Sequence, residues 1–244
     1  MTTTDIPVAP APEEAPPLSE PARMLGVIWS PRKAFTDIVR RPSFWAPFVL
    51  LVVFQTAVSL AIYKPVIIPS QLAKMAEQPN FTAEKQAMIE KGMEGPVGWV
   101  IATATGLIGM PIALLLWAGM LYFVFSLLMS GRANFKSVFT VVCYASIVGM
   151  IAALVKLPLM LARQDLEVSI GPAALLERPD PPTFLYSFLQ GMDVLGIWSW
   201  LVVAVGLSVL YRKPQGPTTL ATMAIFLVFV LVSAGIRSMF HPGS

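Results

Sequence analysis

Five apolar stretches dominate this chain of 244 residues, at positions 44–63, within 97–130, 138–161, about 189–211 and 220–239. Each offers the roughly 20 residues that a helix needs to cross a ~30 Å hydrocarbon core. Little else can be done with them. Hydrophobic residues make up 56% of the chain and charged residues only 13%, about half the charge that keeps an ordinary soluble domain in water. The expected fold is therefore all-α: an integral membrane bundle of five transmembrane helices preceded by a short interfacial helix. The second run is too long for one upright crossing. It is expected to begin outside the membrane, to span at about 105–129, and to kink at Pro111.

The segments around the spans have their own character. Residues 1–22 contain six prolines, four acids and no basic residue, the composition of a disordered or extended cytosolic tail. The membrane domain then occupies 23–240. From Arg23 to Arg41 the chain turns amphipathic. Ser30 before Pro31 reads as a helix start, and Phe35, Ile38 and Val39 fall at helical spacing opposite Arg32 and Lys33. Too short to span, this helix is placed in the headgroup region with Trp29 as anchor, or else packed on the bundle. After the first span, Thr82 and Glu84 resemble another helix start, with Phe81, Met88 and Ile89 facing the bilayer surface or the bundle. Asn80-Phe81-Thr82 is also a glycosylation sequon, a three-residue pattern that recurs by chance.

Charge placement sets the orientation. Arg23, Arg32, Lys33, Arg40 and Arg41 precede the first span, and the tight joints at 131–136 and 212–217 add four basic residues and no acid. The long loop 64–96 balances four lysines with four glutamates, and 162–188 carries two arginines against four acids. Basic loops stay cytoplasmic. The N-terminus is expected in the cytoplasm and the C-terminus outside.

No catalytic constellation emerges. The sole cysteine, Cys143, and the sole histidine, His241, cannot build a zinc site between them. Ser208 follows Gly206 but lacks the second glycine of a nucleophile elbow. No cofactor, metal or nucleic-acid partner is expected. What stands out is ionisable residues inside apolar runs, which are expensive there and need a partner or a purpose. Lys156, Asp193 and Arg237 all fall toward the outer ends of their spans and form an expected charge cluster, with Lys156 and Asp193 at similar depth and Arg237 as the alternative partner. Gln55 reads as an interhelical hydrogen-bonding group. Ala145, Gly149 and Ala153, four residues apart, form a small-residue stripe of the kind that lets helices approach closely.

A family pattern then comes into view. Trp29-Ser30-Pro31-Arg32-Lys33-Ala34-Phe35, with Arg41-Pro42 and Trp45-Ala46-Pro47-Phe48, resembles the entry to the first helix of bacterial Yip1-domain proteins. Gly131, Phe135-Lys136 and Tyr144-Ala145 are similar to that family's second-to-third helix joint. Asp193-Val194-Leu195-Gly196-Ile197-Trp198, then Gly206-Leu207, looks like its fourth helix, with Leu195 where the family often has phenylalanine. The resemblance covers roughly 24–240 and implies a five-helix membrane domain with a cytosolic N-terminus. Eukaryotic members act in vesicle traffic and bind Rab-type GTPases. The Asp-Leu-Tyr-Gly-Pro segment of that branch is missing here, so GTPase binding is not carried over.

The functional expectation is a non-enzymatic protein that organises or interacts with other membrane components. Its partners would be the lipid bilayer and other membrane proteins, a second copy of the chain among them. The rival reading is an oligomeric small-solute or ion transport module using Lys156 and Asp193.

Overall fold

The computed structural model describes residues 16–76, 81–179 and 182–239. Most of the expected tail, the sequon's Asn80, and His241 lie outside the described residues. Ten α-helices, and no strand among the described residues, make up the structure. They are α1 (Glu20–Trp29), α2 (Pro31–Arg40), α3 (Trp45–Ile62), α4 (Ile68–Ala76), α5 (Ala83–Glu94), α6 (Pro96–Tyr122), α7 (Phe135–Arg163), α8 (Phe184–Gly191), α9 (Val194–Leu210) and α10 (Gln215–Met239). A π-helical segment, Tyr63–Ile67, joins α3 to α4, and another, Phe123–Leu128, extends α6.

Four helical stretches are long and apolar enough to cross a membrane: Trp45–Ala76, Pro96–Leu128, Phe135–Arg163 and Gln215–Met239. The count rises to five when α8 and α9, bent by 54° at their junction, are taken as one broken span. That break departs from the continuous helix expected over 189–211. Its cause is Asp193, which takes an extended conformation and turns its carboxylate onto the first amides of α9. One other expectation shifts: the first helix runs on past Tyr63 to Ala76 through the π segment. Helix α6 carries Pro111 in its interior.

The helices are organised around α7. In its most apolar window 56% of residues are buried, against 17–22% in the corresponding windows of the α3–α4, α6 and α10 spans. The core of the bundle reflects this: Val138, Val141, Tyr144, Ala145 and Val148 of α7 are all fully enclosed. Aromatic rings close the gaps between helices, with Trp117 edge-on to both Trp200 at 4.9 Å and Phe229 at 4.7 Å.

The N-terminal amphipathic segment is two helices rather than one. The first starts at Glu20, three residues inside the segment expected as tail. Both pack an apolar side on the bundle. Val27, Ala34, Phe35 and Ile38 are fully buried, and the ring of Phe35 sits beside Gly206 of α9. Full burial of a side chain such as Phe or Ile contributes about 1.5–3 kcal/mol outside the hydrocarbon, so this pair caps one end of the bundle firmly. Trp29, the expected anchor, is 82% exposed. The two tight joints meet at the same end. Ser126 and Tyr211 share a hydrogen bond of 2.7 Å, and Lys213 Nζ donates to the Met129 carbonyl at 3.0 Å.

At the opposite end, α5 begins as its sequence suggests, with the Thr82 hydroxyl accepting from the Lys85 amide. Phe81 and Ile89 pack on a small cluster of Tyr63, Ile68, Leu72 and Ala102, whereas Met88 is 70% exposed.

Close helix approach happens on α6 rather than at Gly149 of the α7 stripe. A methyl group on Gly106 would lie 2.6 Å from the Thr56 Cα, so α3 and α6 touch backbone to backbone there. A methyl group on Gly149 would meet nothing within 4 Å. Gly106→Ala is therefore expected to destabilise the protein by about 1–3 kcal/mol through overpacking, while Gly149→Ala should leave stability unchanged. Thermal unfolding of the two variants in one detergent decides this, and equal losses would contradict the assigned crossing.

Candidate functional site

Burying a charge among apolar helices costs several kcal/mol unless a partner stands beside it, so the buried ions locate the candidate sites. At the end of the bundle away from α1 and α2, Lys156 Nζ lies 2.6 Å from Asp193 Oδ2, with side-chain exposures of 24% and 8%. The other carboxylate oxygen, Oδ1, accepts from the amides of Leu195 at 2.9 Å and Gly196 at 3.2 Å. Asp193 thus performs two tasks on two oxygens: it starts α9 and it holds α7. Oδ2 is buried and faces the Lys156 ammonium, with no other polar partner around it. Its neutralisation rests on the ammonium of Lys156.

Arg237 stands in the same region with different contacts. Its Nη1 donates to Gln190 Oε1 at 2.6 Å, and Gln190 Nε2 donates in turn to the Glu167 carbonyl at 3.3 Å. Lys156, Glu167, Gln190 and Arg237 line a groove of about 290 Å³. Outside it, Arg178 bridges Asp165 at 2.8 Å and Glu167 at 2.9 Å, folding the loop after α7 onto itself. Two of the three ionisable residues, Lys156 and Asp193, are thus paired directly, and the third shares the groove with Lys156.

The small-residue stripe is divided. Ala145 is enclosed in the core, but Gly149 and Ala153 face a cavity of about 260 Å³ between α3, α6, α7 and α9. Gln55, Trp117, Ser146 and Ser199 contribute to the same wall. Close approach along the stripe therefore stops after its first member. Lys156, Asp193 and Arg237 do not line this cavity.

A second ionic cluster, under α1, escaped the reading of the sequence. Arg23 is 5% exposed although it belongs to a helix outside the spans. Its Nε donates to Asp37 Oδ2 at 2.7 Å and its Nη1 to Glu20 Oε1 at 3.0 Å. The Tyr144 hydroxyl donates to the other oxygen of Glu20, which ties α1 to the central helix. Burial works against the Arg23 charge. The hydrogen bonds to Asp37 and Tyr144, with the nearby charges of Asp37 and Glu20, outweigh it and raise the pKa above its ordinary value. The one local signal was the spacing of Glu20 and Arg23 by three, one helical turn.

Both clusters tie helices together, and neither sets a nucleophile beside a base. No group of three or more His, Cys, Asp or Glu among the described residues could hold a metal ion.

Comparison with known proteins agrees with the architecture. The family model described as the Yip1 domain matches residues 25–236. The membrane protein YknW of Bacillus subtilis (strain 168) is 25% identical over 228 residues, covering 91% of this chain and 94% of its own length. No solved structure matches. With the family pattern running from Leu25 in α1 to Ile236 in α10, the chain belongs to the Yip1-domain family of membrane proteins and is of its bacterial type.

Proposed function

We propose that this protein works through contact rather than reaction, organising or binding other components of the membrane. The observation that carries the reading is the use made of its buried charge. Lys156 and Asp193 join α7 to α9, and Arg23 with Glu20, Asp37 and Tyr144 joins α1 and α2 to α7. Each buried ion thereby holds the fold. The outward faces of the α3–α4, α6 and α10 spans remain open to lipid and to other helices. On α6, Ile108 and Leu116 are 57% and 68% exposed beside the buried Leu114.

Photo-crosslinking residues placed at Ile108 and Leu116 are expected to yield the same discrete protein adducts in native membranes. A residue at Leu114 should yield none. Lipid adducts alone at the two outer positions, together with solute or ion flux from liposomes containing the purified protein, would replace this reading with transport. The transport reading is less well supported, because the cavity between α3, α6, α7 and α9 is walled mainly by apolar side chains and the Lys156–Asp193 pair lies outside it.

The same proposal places the N-terminus in the cytoplasm and the C-terminus outside, in a bacterial inner membrane. The support is the concentration of basic residues in α1, α2 and the two tight joints. With Cys143 replaced, a cysteine at Glu84 or Glu177 is expected to react with an impermeant thiol reagent in intact cells. One at Asn134 or Gln215 should react only after the membrane is opened. Labelling in the opposite pattern would invert the orientation.

A further inference from the structure

The charge at the α1–α2 end is unbalanced in a way that the internal contacts do not absorb. The two acids described there, Glu20 and Asp37, both face Arg23. Arg32 and Lys33 are exposed, and no carboxylate of the described residues lies within ion-pair distance of them. These two side chains rim a groove of about 510 Å³ between α2, α9 and the start of α10, lined also by Ser30, Pro31, Thr36, Val205 and Gln215.

The groove changes character along its length. Val205 lies five residues before the end of α9, about 7.5 Å along the helix at 1.5 Å per residue. The groove thus reaches an apolar helix at one residue, Val205, while its rim carries two positive charges and hydroxyl groups. A soluble anion would use only the rim. An amphiphile with a negative head and an apolar body matches both parts.

We propose that this groove binds the headgroup of an anionic glycerophospholipid. Arg32 and Lys33 hold the phosphate, and the lipid's apolar portion continues past Val205 along α9. The contact requires only that α9 cross the bilayer, so it stands or falls separately from any protein partner.

The test uses the full-length protein in a neutral detergent, with phosphatidylglycerol or phosphatidylcholine added at matched concentration and occupancy read by native mass spectrometry. The wild type is expected to retain phosphatidylglycerol over phosphatidylcholine. The double variant Arg32→Gln/Lys33→Gln should lower phosphatidylglycerol occupancy by about tenfold or more. Arg40→Gln/Arg41→Gln, an equal change of charge at the same end, should lower it less than about twofold. Lys33→Arg should keep it, and excess inorganic phosphate should not displace the lipid. Unfolding temperatures measured on the same samples confirm that all variants are folded, as expected for exposed side chains. Equal losses in the two double variants would mean a diffuse basic surface and overturn the site. Displacement by inorganic phosphate would reassign it to a free anion. A severalfold gain in lipid on neutralising Asp5, Glu13 and Glu14 together would make the chain's own acidic N-terminus the occupant, and would equally overturn the proposal.

Discussion

Lys156→Met is expected to be more damaging than Asp193→Asn, although the two substitutions break the same ion pair. Removing the lysine strands a carboxylate that cannot move, because Asp193 Oδ1 is engaged by the Leu195 and Gly196 amides at the start of α9. Its side chain is only 8% exposed. Removing the carboxylate strands an ammonium on a long flexible stem that is 24% exposed and can turn toward the interface. Breaking one side of a buried pair costs about 3–5 kcal/mol. The full range applies to Lys156→Met, and Asp193→Asn should fall below it.

The two oxygens of Asp193 can be separated by the choice of substitute. Asparagine retains a helix-capping oxygen, whereas alanine loses the cap as well, at about a further 1 kcal/mol. Asp193→Ala should therefore be less stable than Asp193→Asn. The double variant Lys156→Met/Asp193→Asn should recover most of the loss seen in Lys156→Met, since no charge is left stranded. Thermal unfolding in detergent and the yield of monodisperse protein measure these differences. Simple addition of the two single losses would show that the 2.6 Å contact contributes no coupling.

The unequal legibility of the two ionic clusters has a physical origin. Lys156 and Asp193 stand out because each interrupts an apolar run, and in hydrocarbon an isolated charge demands a partner at its own depth. Depth follows from counting residues along a helix, so the pair can be sought from sequence. The bend beside Asp193 was signalled too, since an aspartate directly before an apolar helical stretch is a common helix start. The apolar run on both sides of it masks that start and reads as one uninterrupted span. Glu20 and Tyr144, by contrast, are 124 positions apart, and α1 begins inside a segment whose prolines and acids suggest a tail. Nothing local reveals that Arg23 faces inward. The stripe of Ala145, Gly149 and Ala153 shows a third kind of limit. A four-residue period identifies one face of α7, but a cavity in front of that face depends on how four helices pack at once. Gly106 closes a repeat of the same period on α6, Gly98, Ala102 and Gly106, all buried, so the period alone does not say which stripe meets a neighbouring helix.

Arg23→Leu is expected to loosen the whole N-terminal cap of the bundle. The substitution keeps only the apolar base of the side chain and removes the charge that faces both Asp37 and Glu20. Two carboxylates would then share a site with the Tyr144 hydroxyl and no cation. Asp37 is 17% exposed and Glu20 39%, so the glutamate can swing outward and the cost should fall below the 3–5 kcal/mol of a fully buried broken pair, to about 2–3 kcal/mol after screening. The effect should be local. Amides of α1 and α2 are expected to lose protection against hydrogen exchange, while those of α7 and α9 change little. Tyr144→Phe removes one hydrogen bond to a charged acceptor and should cost about 1.5–3 kcal/mol at most, again with α1 responding first. Arg23→Lys should fall between wild type and Arg23→Leu. A single ammonium cannot reproduce the fork in which Nε serves one carboxylate and Nη1 the other. If Arg23→Leu left exchange in α1 and α2 unchanged, burial of Val27, Phe35 and Ile38 would be enough to hold the two helices in place, and the cluster would serve only to neutralise its own charges.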